Sequence, residues 1–378
     1  MHAATILAQL DHCTDPVTGG LVPSIHPGVT NVAASGHAAG DHDVAARYAR
    51  SGNTGAALVE RILVQLEGGA AAAAFGAGSA AAQAVLATLR PGDHLLLDAG
   101  LYYEFSRMIA AFGARFGIAV TYLDLCDLDS VRLALQRGKT RLIWAECPSN
   151  PLWRVPDIAG LAGLAHEHGA RLLVDATAVT PVLCRPVALG ADLVLHSATK
   201  YLNGHGDLVA GALTTARADA QWEEVLAARE AHGTVLPPFE AWLLLRGMRS
   251  LALRMERVST SALMLADRLS RQPRVRAVHY PGLPFNAQHL LAKRQFHGGF
   301  GGMLSFELAG SAAEAVAVCA RAAIFRRSTS LGSPESLIEH RRSTEGEGST
   351  CPDALIRLSI GLEHPDDLLT DLMQALKA

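Results

Sequence analysis

Between residues 94 and 196, short apolar runs alternate with helical patterns, and this alternation constrains the fold more than any other feature. The runs are His94–Asp98 (HLLLD), Ile118–Leu123 (IAVTYL), Arg141–Ala145 (RLIWA), Arg171–Asp175 (RLLVD) and Asp192–His196 (DLVLH). Between them, Tyr103–Phe112, Ser130–Gln136 and Val155–His168 read as helices, the last stopping at His168-Gly169. Nearly continuous apolar strands separated by helices predict an α/β fold with a mostly parallel central sheet and helices on both faces. After about residue 235 the texture changes. Pro237-Pro238 punctuates the chain, a helical pattern runs from Phe239 to about Leu269, and Val275–Tyr280 and Met303–Glu307 alternate in hydrophobicity. This predicts a smaller C-terminal α+β domain over 236–378, after a large domain over 51–235. Residues 1–50 are loop-like, rich in Gly, His and Pro, and read as an arm that packs on a neighbouring subunit.

The composition narrows the function classes. The 378 residues carry a formal net charge of −3, and 49% of them are hydrophobic, which argues against disorder. With no basic excess there is no field to attract nucleic acid or an anionic bilayer. The apolar stretch from Ala70 to Leu89 is Ala and Gly interrupted by Ser and Gln, too weak for a membrane span. The start MHAATILAQLDHC lacks the basic and apolar regions of a signal peptide. The six cysteines have no C-x-x-C spacing and are expected to be reduced, so a cytoplasmic location is expected.

Three patterns bear on chemistry. Phe75-Gly76-Ala77-Gly78-Ser79-Ala80-Ala81 fits G-x-G-x-x-A, which a dinucleotide site uses, but a chain rich in Gly and Ala also produces it as a plain strand-to-helix turn. Either reading puts free N–H groups at a helix N-terminus, where a phosphate binds well. His166 and His168 are two apart on a helix and cannot share a metal, and His37, Asp41, His42 and Asp43 match no metal spacing, so no metal is assigned. The third pattern is His196-Ser197-Ala198-Thr199-Lys200, which follows a strand and lies 25 residues after Asp175, at the end of another strand. Strand C-terminal ends line the ligand crevice of such sheets, so Asp175 and Lys200 approach one site. A lysine flanked by two hydroxyls suits a Schiff-base nucleophile beside a phosphate, or else a surface lysine at a strand end.

The run from Val174 to Gly211 resembles the cystathionine γ-synthase/γ-lyase (Cys/Met-metabolism) family of pyridoxal-phosphate enzymes. Tyr48-Ala-Arg-Ser-Gly-Asn53, Glu146-Cys-Pro-Ser-Asn-Pro151, Ser330-Leu-Gly-Ser-Pro-Glu-Ser-Leu-Ile338 and Ile356-Arg-Leu-Ser-Ile-Gly-Leu-Glu363 extend the resemblance over nearly the whole chain. The resemblance implies a fold-type I pyridoxal-phosphate transferase. Lys200 would then bind the cofactor covalently and move protons, while Asp175 would pair with the pyridine nitrogen. Asn150 would bond the phenolic oxygen, and Tyr103 would stack on the ring, with Tyr102 as the fallback. Gly78 and Ser79 by N–H groups, and Ser197 and Thr199 by hydroxyls, would hold the phosphate. Tyr48 and Arg50 would reach the phosphate of the neighbouring subunit, making a dimer with shared active sites the minimum and a tetramer the expected assembly. Arg357 would clamp the substrate carboxylate, and Ser330 would orient that carboxylate or Lys200.

Departures from the family pattern gather around the substrate. Thr54-Gly55 replaces Pro-Thr, Ala176 replaces Asn, Glu104-Phe105 replaces two glycines, and His26 stands where many members have tyrosine. The segment from Arg341 to Pro352 differs from the usual Pro-Ala-Ser-Met-Thr region. The expected activity is carbon–sulfur bond formation or cleavage in transsulfuration, within cysteine and methionine metabolism. The Pro-Ser-Ile-His and His-Arg-Arg-Ser-Thr-Glu-Gly segments favour a cystathionine γ-synthase type acting on an O-acylhomoserine. A β- or γ-lyase releasing keto acid and ammonia is the alternative, and a nicotinamide-dependent dehydrogenase using the Gly76/Gly78 turn is the alternative of another class.

Overall fold

A computed structural model describes residues 1–32 and 48–377; the histidine and aspartate group at 37–43 lies outside them. Strands β1 (Ala71–Phe75), β2 (His94–Asp98), β3 (Ala119–Leu123), β4 (Thr140–Glu146), β5 (Arg171–Asp175), β6 (Leu193–His196) and β7 (Gly211–Thr215) form one sheet in the order β1-β7-β6-β5-β4-β2-β3. All neighbours are parallel except the two pairs that include β7, which runs the other way. β2 is buried along its whole length, as its apolar run requires, whereas edge strand β3 leaves Tyr122 exposed. The helix Thr54–Glu67 lays Leu58, Ile62, Leu63 and Leu66 on one face of the sheet, started by the Asn53 side chain and ended by Gly68 at φ 73°. Helices Gly78–Leu86 and Tyr103–Phe116 cover the other face.

The second sheet holds β8 (Val275–His279), β9 (Met303–Leu308), β10 (Arg326–Arg327), β11 (Leu337–His340) and β12 (Leu355–Ser359) in the order β10-β11-β12-β9-β8. Its core includes Leu304, Phe306, Ile356, Leu358 and Leu372. The single helical pattern expected after Phe239 is two helices, Pro238–Met248 and Leu251–Leu269. The Ser250 hydroxyl donates to the Gly247 carbonyl at 3.1 Å, which closes the first helix with a local side-chain bond. The second helix bridges the two cores: Leu251, Met255 and Val258 pack with the large sheet, and Ala262, Leu265 and Leu269 with the small one. Trp153 adds a direct link, its indole N–H donating to Ser305 Oγ on β9 at 2.8 Å.

The first fifty residues are not all loop. Ala3–Gln9 is a helix whose Ile6 and Leu7, with Leu10 after it, join the large-sheet core of the same chain. The i, i+1, i+4 spacing of those three residues is a helical stripe too short to stand out from its Gly- and Pro-rich surroundings. Val17, Leu21, Val22, Val29 and Val32, further along, are exposed. No helix of the described residues is long and apolar enough to cross a membrane.

Candidate active site

The C-terminal ends of β4, β5 and β6 open into a cavity of about 450 Å3, closed on the other side by residues of the small sheet. Lys200 enters it from the connection between β6 and β7. Backbone bonds from Lys200 N to Ser197 O (3.1 Å), Gly204 N to Lys200 O (2.7 Å) and Thr199 N to Ala210 O (3.1 Å) fix this connection. Arg254, buried on Leu251–Leu269, donates to the carbonyls of Tyr201 at 2.7 Å and Leu202 at 3.3 Å. Gly204, at φ +72°, makes room for it: a Cβ there would lie 1.8 Å from Arg254 Nη1.

Lys200 Nζ donates to Ser330 Oγ at 2.6 Å. Burial pulls its pKa down to about 8, with the Arg357 charge acting in the same direction and Glu339 opposing. Ser330 itself has φ 81°, a left-handed conformation that costs a non-glycine residue about 1–3 kcal/mol and marks a constrained site.

Asp175 ends β5 and is buried. Its Oδ1 accepts from Thr177 N at 3.0 Å and Thr177 Oγ1 at 2.5 Å, and burial raises its pKa. Thr177 Oγ1 accepts in turn from Ser197 N at 2.8 Å, tying the β5 and β6 ends together. Facing them, the helix Gly78–Leu86 starts at Ala77 with no side-chain cap, so the first N–H groups have no acceptor from that residue. Gly78 allows a close approach: a Cβ there would sit 3.2 Å from both Cα and Cβ of Ser197, tighter than ordinary packing. Thr199 Oγ1 exchanges bonds with Ala210, accepting from its N at 3.0 Å and donating to its O at 3.2 Å. Its hydroxyl must turn from that carbonyl to serve an anion.

Arg357 on β12 is buried, and burial lowers its pKa to about 10. Its guanidinium donates to Ser330 O at 2.8 Å and Asn150 Oδ1 at 3.3 Å and forms an ion pair with Glu339, its direct partner on β11. Glu146, at the end of β4, accepts from Tyr102 N at 2.7 Å; burial and the nearby Asp175 push its carboxyl well above the usual range.

This lysine, with a buried carboxylate, an uncapped helix start and a clamped arginine around one cavity, belongs to a pattern that comparison identifies. Residues 4–377 match the family described as Cys/Met metabolism PLP-dependent enzyme. The chain belongs to that family. Its cofactor is pyridoxal 5'-phosphate. The chain is 44% identical over 335 residues to a cystathionine gamma-synthase of Mycobacterium tuberculosis, covering 87% of this chain and 86% of that one. It is 42% identical over 341 residues to an L-methionine gamma-lyase of Pseudomonas putida, covering 88% and 85%. Among solved structures, cystathionine gamma synthase from Xanthomonas oryzae pv. oryzae in complex with cystathionine superposes with a TM-score of 0.92 at 36% identity, covering 100% of this chain and 98% of that one.

The residues present fit the cofactor of this Cys/Met metabolism enzyme. A lysine whose pKa is lowered to about 8 suits bonding to an aldehyde. The uncapped N–H groups and Ser197 offer donors for a phosphate, and Asp175 offers a buried carboxylate to a ring nitrogen. The structure brings Gly78, Ser79, Asn150, Asp175, Ser197, Thr199, Lys200, Ser330 and Arg357 to one cavity.

It does not bring Tyr103 there. Tyr102 lines the cavity, while Tyr103 lines an adjoining one and lies against Arg341, whose Cζ is 5.2 Å from its ring centre. Tyr102 is the residue just before the helix Tyr103–Phe116, held by Glu146 and packed edge-on against Phe105 at 5.6 Å, so the adjacent Tyr103 projects elsewhere. Tyr48 and Arg50 do not line the cavity of their own chain; both are exposed, with the Arg50 guanidinium 5.2 Å from the Tyr48 ring centre. Thr177, Glu146, Arg254, Glu339 and Arg341 were given no role from the sequence, although Thr177 and Glu146 lie in segments that carry the family resemblance and Arg341 lies where the chain departs from it.

Proposed function

We propose that the protein is a pyridoxal-phosphate-dependent γ-replacement enzyme of the cystathionine γ-synthase type, acting on an O-acylhomoserine and a thiol amino acid. The observation that carries the enzyme reading is Lys200 Nζ held at 2.6 Å by Ser330 Oγ in the cavity that also contains Arg357. The synthase type is supported by the likeness to the mycobacterial synthase and by the segments Pro23-Ser24-Ile25-His26 and His340–Gly346.

When bound, pyridoxal phosphate supplies an electron sink for charge that develops at the substrate Cα. Gly78, Ser79, Ser197 and Thr199 hold its phosphate, Asp175 its ring nitrogen, Asn150 its phenolic oxygen, and Tyr102 one face. Arg357 binds the substrate carboxylate with its planar fork, which fixes the Cα–H relative to Lys200. Lys200, with its pKa near 8, is a base at mildly alkaline pH and removes the Cα proton. A γ reaction also needs a proton removed at Cβ, which the same flexible amine reaches. Ser330 steadies Nζ between these positions. The Cγ–O bond breaks and the acyl group leaves with that oxygen as a carboxylate, the thiol sulfur bonds to Cγ and gives up its proton, and Lys200 returns protons to Cβ and then to Cα.

A lyase reading is favoured by the likeness to the methionine γ-lyase; it ends in keto acid and ammonia. A substrate panel separates the two. A new thioether from O-acylhomoserine plus cysteine supports the synthase, and ammonia with keto acid from cystathionine or methionine supports the lyase. Borohydride treatment of the yellow protein should fix one pyridoxyl group per chain, on the peptide containing Lys200. A colourless protein with no label after incubation with the cofactor would refute the pyridoxal-phosphate reading of Lys200 and revive the dehydrogenase alternative.

The active form is a homo-oligomer in the cytoplasm, a dimer with shared sites or a tetramer made of two such dimers. The exposed Tyr48 and Arg50, away from their own cavity, and the 61% exposed Val209 on the cavity wall, support completion of each site by a neighbouring subunit. Mixing inactive Lys200→Ala and inactive Arg50→Ala protomers should restore part of the activity. Mixed oligomers that stay inactive would refute the shared site.

A further inference from the structure

Glu339 and Arg357 face each other across β11 and β12, and Glu339 Oε1 forms a close ion pair with Arg357 Nη2. The proposed clamp for the substrate carboxylate is thus already engaged by a carboxylate of the protein. A tethered competitor acts at high effective concentration, so substrate binding needs a way to displace it.

Arg341 has the geometry to do this. It is 1% exposed, its Nη1 lies 3.1 Å from the same Oε1 of Glu339, and its Nε lies 2.8 Å from Glu345 Oε1. Thr344 Oγ1 donates to the other oxygen, Glu339 Oε2, at 2.9 Å. Arg341 Nη2 is buried and has no hydrogen-bond partner among the described residues. An end-on bidentate pair with a carboxylate uses Nη1 and Nη2 together. Nη1 is already on Glu339, and Nη2 is the donor still unused.

We propose that Arg341 is a positioning residue that draws Glu339 away from Arg357, so that the substrate carboxylate enters by exchange for Glu339. This rests on the reading of Arg357 as the substrate-carboxylate clamp. After the exchange neither Glu339 nor Arg357 is left as a buried charge without a counter-charge, which would cost far more than the exchange itself. Arg341 lines the cavity, close enough for the rearrangement to stay local.

The test is a double-mutant cycle on the cofactor-loaded enzyme, with L-alanine and L-alaninamide as probes read by the change in cofactor absorbance. Arg341→Met should weaken alanine binding by about tenfold and leave alaninamide, which has no carboxylate, unaffected. Glu339→Gln removes the competitor, so the double variant Glu339→Gln/Arg341→Met should bind alanine within about threefold of the wild type. Arg341→Lys keeps the charge without the bidentate edge and should weaken alanine binding about threefold, which preserves the test if Arg341→Met does not load cofactor. Unchanged alanine binding in Arg341→Met or Arg341→Lys, equal losses for both probes, or no recovery in the double variant would overturn the proposal. Arg357→Lys tests the underlying reading separately: if it leaves the preference for alanine over alaninamide intact, the clamp itself is misassigned.

Discussion

The two walls of the cavity are built differently. The cofactor wall consists of strand ends and a helix start, and its geometry is set by the backbone and by short hydroxyls bonded to it: Ser197 N on Thr177 Oγ1, Ala210 N on Thr199 Oγ1, and Gly78 packed against Ser197. The substrate wall consists of facing strands of the small sheet, and its geometry is set by the long charged side chains Glu339, Arg341 and Arg357. The first wall is close to a rigid mould for one invariant ligand. The second is a set of exchangeable ion pairs, and small changes of residue there alter what is bound without altering how the cofactor is held.

Substitutions should separate the two walls. The largest effect is expected for Lys200→Ala, which removes the acid/base group and should lower kcat/KM by about 1000-fold or more, with loss of borohydride labelling at that position. Retention of substantial turnover would mean that another base acts. Arg357→Lys should raise KM by about 100-fold, because a lysine cannot form the planar two-point contact, while the cofactor absorbance stays that of the wild type. A matching change in cofactor affinity would show that the two walls are coupled. Gly78→Ala places a methyl group 3.2 Å from Ser197 Cα and Cβ and should weaken cofactor binding about tenfold, measured by equilibrium titration, with a smaller effect on substrate KM.

A smaller effect concerns pH. Lys200 has its usual pKa of 10.5 in the unfolded chain and about 8 in the fold. Between those values the unfolded chain carries the proton and the folded one does not, so Lys200 makes stability rise with pH, by at most about 3 kcal/mol across the window. Lys200→Met should flatten that rise in urea titrations of cofactor-free protein. An unchanged slope would show that the fold does not oppose the lysine charge.

The same division explains what was legible in the sequence. The strands ending at Asp98, Asp175 and His196 could be read because apolar runs and their polar ends report burial directly. Lys200 and Asp175 could be linked because strand ends in such a sheet share an edge. Tyr102 and Tyr103 could not be told apart, because adjacent residues differ in direction by a turn geometry that composition does not encode. Arg254 was hidden for another reason: on an amphipathic helix its spacing marks only a buried face, and its carbonyl partners Tyr201 and Leu202 are more than 50 residues away. Glu339 and Arg341 became meaningful only when β11 and β12 were set side by side.

The reversed strand β7 has a mechanical consequence. Because β6 and β7 are antiparallel neighbours, the segment carrying Lys200 leaves and re-enters the sheet at the same end of its strands, without a crossover helix. The lysine is therefore anchored to the large sheet by strands on both sides of it, whereas Arg357 is anchored to the small one. A shift of one sheet against the other would leave the distance from Lys200 to Ser197 unchanged and would fall on the gap between Lys200 and Arg357, so that gap alone records how the two sheets are set against each other.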